Sequence, residues 1–236
     1  MSSEKSEGMH TCPVCKAGFS TMPALMEHVS KAHPQMAQTM GSHMEGREVT
    51  RAKASTYFGW AALGGFVGAI LMGIVMMIAA AVMGVTPLIM MLAMGIGVLG
   101  LSPTGGIATA MGGLILHLVD GVVIGLILAA ISFGVKRFLF IDSVKRGAYI
   151  GLLAGFLVWL VFGLPVLLAV MPHAMVVAIA APIAAAKGVP ISAVAPTVQS
   201  KLIPMMGPIA GAFLVAHLVY GLLWGVFIGY AVSRRV

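Results

Sequence analysis

Four side chains near the start of the chain have the types and spacing of a metal site. Cys12 and Cys15 stand two residues apart, twelve residues follow, and His28 and His33 complete the set with four residues between them. A Zn²⁺ ion takes four tetrahedral ligands from thiolate sulfur and imidazole nitrogen. The tight turn Cys12-Pro13-Val14-Cys15 offers two of them together. His28 and His33 lie roughly one helical turn apart, so a single helix is expected to turn both towards the cysteines. No other cysteine occurs in the chain, and a Cys-x-x-Cys pair outside a thioredoxin-like βαβ unit points to metal rather than redox chemistry. So short a segment cannot bury enough core to fold unaided. Metal binding would supply its folding free energy, on the order of 10 kcal/mol.

A second constellation lies far along the chain. His117 and Asp120, at i and i+3, share a helix face. The sequence His117-Leu118-Val119-Asp120-Gly121 returns as His217-Leu218-Val219-Tyr220-Gly221, so His217 and Tyr220 take the matching places. An ionisable group inside an apolar span is costly to bury and is a functional candidate for that reason. Three roles are open to His117, Asp120 and His217: hydrogen-bonding glue against a half-helix end, proton or ion handling, and metal binding. Methionine adds a further candidate, with Met72 and Met76 one turn apart and Met90, Met91 and Met94 close by. Thioethers select soft ions such as Cu(I), but they also fill apolar cores, and packing is the reading adopted for them here. No Ser/His/acid set lies at a common depth, and no Gly-rich phosphate loop ends in lysine. The chain is therefore not expected to be an enzyme.

The elements that carry these residues follow from charge and hydropathy. Of 236 residues, 60% are apolar and only 9% are charged, against about 25% charged in an ordinary soluble domain. No Asp, Glu, Lys or Arg occurs in 54–119, 147–186 or 202–233, and each run exceeds the roughly 20 apolar residues that cross a bilayer. The expectation is an all-α multi-pass protein of the cell (plasma) membrane, with the lipid bilayer as its surroundings. Met1–Gly8 is polar and does not read as a signal peptide. The chain divides into a head (1–33), a flexible linker rich in Gln, Met, Gly and Ser (34–56), and a membrane domain (57–236). Tyr57 and Trp60 are expected as interfacial aromatics.

Six apolar segments can be drawn: 57–83, 87–101, 105–133, 147–171, 174–186 and 206–232. The second and fifth would reach only about 22 and 20 Å, too short to cross, and read as half-helices. Four crossings place nine basic residues on the inner side: Arg47, Arg51, Lys53, Lys136, Arg137, Lys145, Arg146, Arg234 and Arg235. Only Lys187 and Lys201 then lie outside. Six crossings, the alternative, give five against six. The positive-inside rule therefore favours four full spans with both termini cytoplasmic. The net charge of +7 reports this topology rather than nucleic-acid binding. Residues 57–135 and 146–236 read as two tandem repeats, with Gly64 and Gly68 matching Gly151 and Gly155. Glycines four apart also occur at 121 and 125, at 207 and 211, and at 221, 225 and 229. Such spacing lets helix backbones meet closely in lipid, within one chain or in a homo-oligomer.

The Cys12, Cys15, His28, His33 pattern, with apolar Phe19 and Leu25, resembles the C2H2-type zinc finger. That resemblance implies a small ββα fold and Zn²⁺ as the cofactor. In the family, bases are read from the helix start and its third and sixth residues, here Thr21, Ala24 and Glu27. None of these is a strong nucleic-acid contact, whereas Met22 and Met26 suit a protein surface. Residues 57–236, through their Gly-rich spans and the His-Leu-x-x-Gly motif, resemble uncharacterised prokaryotic membrane proteins built from a duplicated hairpin, a likeness that implies no mechanism. Two functions remain in view. One is a membrane-anchored zinc-binding adaptor or regulatory protein whose finger docks a cytosolic protein. The alternative is a small transporter or channel for a proton, ion or metal, using His117, Asp120 and His217.

Overall fold

The Cys-Pro-Val-Cys turn is held by a two-stranded antiparallel ribbon, β1 (His10–Thr11) and β2 (Gly18–Phe19), with His10 opposite Phe19. It is followed by α1 (Met22–Ala32) in a computed structural model that describes residues 10–135 and 139–234, without the side chains of 37–53. Lys16 closes the turn in the left-handed region, at φ 63°, and its N–H donates to the Cys12 carbonyl at 2.8 Å. Thr21 caps α1 by accepting from the Ala24 N–H at 3.4 Å, and Pro23 occupies its first turn, where a proline is tolerated. Cys12, Leu25 and Val29 form the core of this unit, with Phe19 and Met36 packed on it. Residues 1–55 and 56–236 are two separate compact units.

From Pro34 the backbone is helical to Val82 (α2), including the stretch expected to be a tether. Its Gln, Met, Ala, Glu and Arg residues are good helix formers even without an apolar stripe. The second unit continues with α3 (Ile89–Gly97), α4 (Ile107–Gly134) and α5 (Val144–Val158). One π-helical turn (Trp159–Gly163) leads into α6 (Leu164–Ala169), then α7 (Met171–Lys187), α8 (Ile191–Leu202) and α9 (Met206–Ser233). Among the described residues, four helical stretches are long and apolar enough to cross a membrane: Ala54–Val82, Ile107–Gly134, Val144–Ala169 and Ile191–Ser233. The short α3 and α7 come to about 14 and 26 Å at 1.5 Å per residue. The second is longer than expected because Pro172 sits in its first turn rather than ending the preceding segment. Helix α8 was not foreseen; Val198 and Leu202, four apart, bury its inner face.

Helix α4 is apolar apart from a few residues, His117 and Asp120 among them, and sorts the rest by size. Gly113, His117, Gly121, Gly125 and Ala129 face inward, while Ile115, Val119, Val123, Ile127 and Ile131 stand about half exposed on the other side. Large residues outside and small ones inside invert the soluble pattern and let helix backbones meet. The glycine spacing is used along most of its length. An added Cβ at Gly147, Gly151 or Gly155 would run into the carbonyls of Gly225, Gly221 and His217 on α9. Gly64, Gly65 and Gly68 meet α9 and α4 in the same way. Gly207 and Gly211 have no atom of the described residues within 4 Å of such a Cβ and do not serve this packing.

Tyr57 departs from the interfacial role expected of it. It is 1% exposed, stacked on Phe140 at 5.3 Å. Its hydroxyl shares a hydrogen bond with Ser132 Oγ at 2.8 Å and accepts from the Ile141 N–H at 3.4 Å. A phenol with two buried partners is a packing element, whatever its sequence distance from the span end. Trp60 is partly buried against Phe227 and Tyr230, and the Arg234 guanidinium lies 4.3 Å over the Tyr230 ring. Lys136, Arg137 and Arg235, three of the basic residues used to orient the spans, lie outside the described residues.

Candidate functional site

In the head, the ligand atoms of Cys12, Cys15, His28 and His33 all lie within 4.8 Å of one another. Tetrahedral Zn–S and Zn–N bonds place ligand atoms roughly 3.3–3.8 Å apart, so a metal needs little adjustment of this cluster. Cys15 Sγ is already 3.2 Å from His28 Nε2. His33 Nε2 is buried with no hydrogen-bond partner among the described residues. An orphaned buried nitrogen is costly in a protein, and a metal at the centre of the cluster would satisfy it. The backbone N–H of Cys15, aided by that of Val14, holds the Cys12 thiol below its ordinary range against the opposing effect of burial. That favours the thiolate a metal requires. The four residues thus fit a bound metal, which would hold turn and helix together.

One helix does not carry both histidines. Helix α1 stops at Ala32, and His33 has φ −137° and ψ 62°, its N–H donating to the Val29 carbonyl. Five residues at about 100° each would turn His33 some 140° away from His28 on a continuous helix. Pro34 disfavours a helical conformation at His33, and the break swings the imidazole back towards the cysteines. Glu27 is engaged by Lys31 in an exposed i,i+4 ion pair at 2.7 Å, and Thr21 is spent on its cap. Met22 and Val14 are about half exposed and Met26 partly so. Val29, one turn after Leu25, is a core residue the spacing pattern overlooked.

In the second unit, His117, Asp120, His217 and Tyr220 line one cavity of about 230 Å³. Their roles in it differ. His117 Nε2 donates to the Ala69 carbonyl of α2 at 2.9 Å. His217 Nδ1 donates to the Phe213 carbonyl, one turn back on its own helix, at 2.7 Å. Neither histidine bonds the end of a short helix. The Tyr220 hydroxyl donates to the Gly121 carbonyl at 2.6 Å, and Trp224, one turn on, donates through Nε1 to the Gly125 carbonyl at 3.0 Å. Tyr220 is therefore committed to clamping α9 on α4. Tyr220→Phe should cost about 0.5–1.5 kcal/mol in unfolding titrations followed in detergent, without altering ligand-binding lone pairs elsewhere in the cavity. Asp120 is partly buried and has no hydrogen bond or ion pair with any described residue.

Three features of this cavity were not legible in the sequence. Helix α5 ends in the π-helical turn, whose Phe162 and Gly163 line the wall. A Cβ at Gly163 would stand 3.0 Å from His217 Nε2, so the glycine leaves that nitrogen accessible. Met72, Met94 and Met171, from three different helices, also reach the lining. All three also belong to or pack on the apolar core that holds Met76 and Met90, which do not reach the lining. Single-turn π segments give no periodic signal in sequence but recur at functional sites. Comparison with protein families, with curated proteins and with solved structures finds no match to this chain.

Proposed function

We propose that the chain is a multi-pass membrane protein that handles a small cation in the cavity of its helical domain, as a transporter or channel. A C2H2-type zinc finger forms its cytoplasmic head. The observation that carries the reading is the arrival of His117, Asp120 and His217, from two helices a hundred residues apart, at one cavity. Ionisable groups sheltered between apolar helices are costly unless they are used. The half-exposed row Ile115, Val119, Val123, Ile127 and Ile131 on α4 supports burial in lipid. Helices α4 and α9 are both 28 residues long, with a histidine near the same depth, in keeping with a duplicated hairpin. The histidine hydrogen bonds differ between the two, so the copies have diverged. The basic residues flanking the spans support cytoplasmic termini and a place in the cell membrane. Zn²⁺ is the metal best suited to a Cys₂His₂ set.

Proteoliposomes test this reading. Cation or proton flux is expected in vesicles holding the full chain, and is expected to fall about tenfold or more in His117→Ala/His217→Ala. Equal flux in the variant, or none in the parent, would overturn it. The adaptor reading keeps one specific support: Val14 and Met22 leave an apolar, adaptable surface on the head, suited to a cytosolic protein partner.

A further inference from the structure

The cavity offers its occupant lone pairs and almost no protons. The ring nitrogen of each histidine that faces a carbonyl must be the protonated one, because a carbonyl only accepts. In the neutral imidazoles this leaves His117 Nδ1 and His217 Nε2 as acceptors. Tyr220 has spent its hydroxyl proton on Gly121. Asp120 brings a carboxylate, and Met72, Met94 and Met171 bring three thioethers. Among the lining residues there is no lysine, arginine, serine, threonine or amide side chain. An anion would meet only repulsion there. An apolar guest would leave the carboxylate without compensation, which is costly. The occupant that satisfies such a lining is a cation.

Its class follows from the donors. Ca²⁺ and Mg²⁺ require six or more oxygen ligands, and the side chains of the lining supply only Asp120 and the Tyr220 oxygen. Zn²⁺ is best held by thiolate, imidazole and carboxylate together, and the lining has no cysteine and a single carboxylate. A divalent ion would also exceed the charge of one carboxylate. We propose that this cavity binds one soft monovalent metal cation of the cuprous type, held by His217, His117 and the thioethers of Met72, Met94 and Met171, with Asp120 balancing its charge. The proposal rests on the cation-handling reading above and names the cation. Thioether and imidazole are the donors that select such an ion, and a monovalent charge against one carboxylate leaves the apolar interior neutral. Met72 and Met171 gain a role beyond core packing, which Met76 and Met90, outside the cavity lining, do not share.

The test uses the full-length chain in detergent with Cys12→Ser and Cys15→Ser, which removes the thiolates that would also take a soft metal. Ag(I), and Cu(I) under reducing conditions, are added, excess metal is removed by desalting, and retained metal is counted by mass spectrometry. About one equivalent is expected to remain. Met72→Leu/Met94→Leu/Met171→Leu conserves volume and should lower retention about tenfold or more, with helicity unchanged by circular dichroism. An ammonium or proton site would not need the thioethers, so full retention in the Leu variant overturns the proposal, as does no retention in the parent. If the Leu variant does not fold, X-ray absorption of the copper-loaded parent decides. Sulfur scattering together with nitrogen supports the site, and nitrogen and oxygen alone overturn it. Proteoliposomes that move protons but retain no silver would defeat the soft-cation assignment and leave the transport reading intact. Silver retained without flux would establish the site and remove transport.

Discussion

Gly221→Val is expected to destabilise the helical domain by about 3 kcal/mol or more, at the upper end of what overpacking costs. A Cβ at this position would collide with the Gly151 carbonyl and come within 2.6 Å of the Gly155 nitrogen and 2.7 Å of its Cα. These are backbone atoms of a facing helix and cannot rotate away as a side chain could, so α5 and α9 must separate. Separation would forfeit contacts along the whole glycine seam from Gly147 to Gly229. In a lipid-like solvent those close contacts, rather than water exclusion, hold helices together. Gly211→Val is the matched control. It introduces the same side chain at a glycine of the same spacing, but with no atom within 4 Å of its Cβ. Its effect is expected to stay within about 0.5 kcal/mol, as for other open positions. Unfolding of both variants in mixed micelles, followed by circular dichroism, distinguishes them. Equal midpoints would mean that the seam does not carry the packing.

Withholding metal from the head is expected to leave that unit unfolded and the helical domain standing. The core of the head is Cys12, Leu25 and Val29, with Ala17, Phe19 and Met36 at its edge, far less than an independent fold requires. A bound zinc contributes on the order of 10 kcal/mol to such units, and the buried, unpartnered His33 nitrogen would weigh against folding without it. Limited proteolysis read by mass spectrometry should therefore show new cleavage within residues 10–33 after chelation, or in Cys12→Ala. The fragment from 56 onwards should remain protected, because its seam uses no metal. A head that resists protease equally with and without zinc would show that the metal is not its source of stability. The same Cys12→Ala variant tests the adaptor reading: a partner captured by the intact head should be lost, and its retention would exclude docking through the folded head.

Other readings depended on how much geometry a residue list carries. The set was legible because two cysteines and two histidines at this spacing leave few alternatives, and the structure brings all four together. The path by which they meet was not. His33 reaches the cluster because the helix ends before it, and that depends on the backbone at Pro34. The glycine pattern likewise identified residues able to pack closely without saying which would. Gly151 and Gly221 face each other, while Gly207 and Gly211, identical in spacing, face no neighbour. Tyr57 was expected at an interface from its place beside a span, yet three aromatic rings and Ser132 enclose it.

What the amino-acid order determined by itself is local: which residues could ligate a metal, which stretches are long and apolar enough to cross a bilayer, and where charge cannot go. Each of these follows from side-chain chemistry or from a 1.5 Å rise per residue, and neither needs a neighbour. Tertiary structure alone decided that His117, His217, Asp120 and three methionines from separate helices share one cavity. Contacts in lipid rest on the interlocking of small residues rather than on hydrophobic sorting, so nearly every face of an all-apolar helix is admissible until its partner is in place.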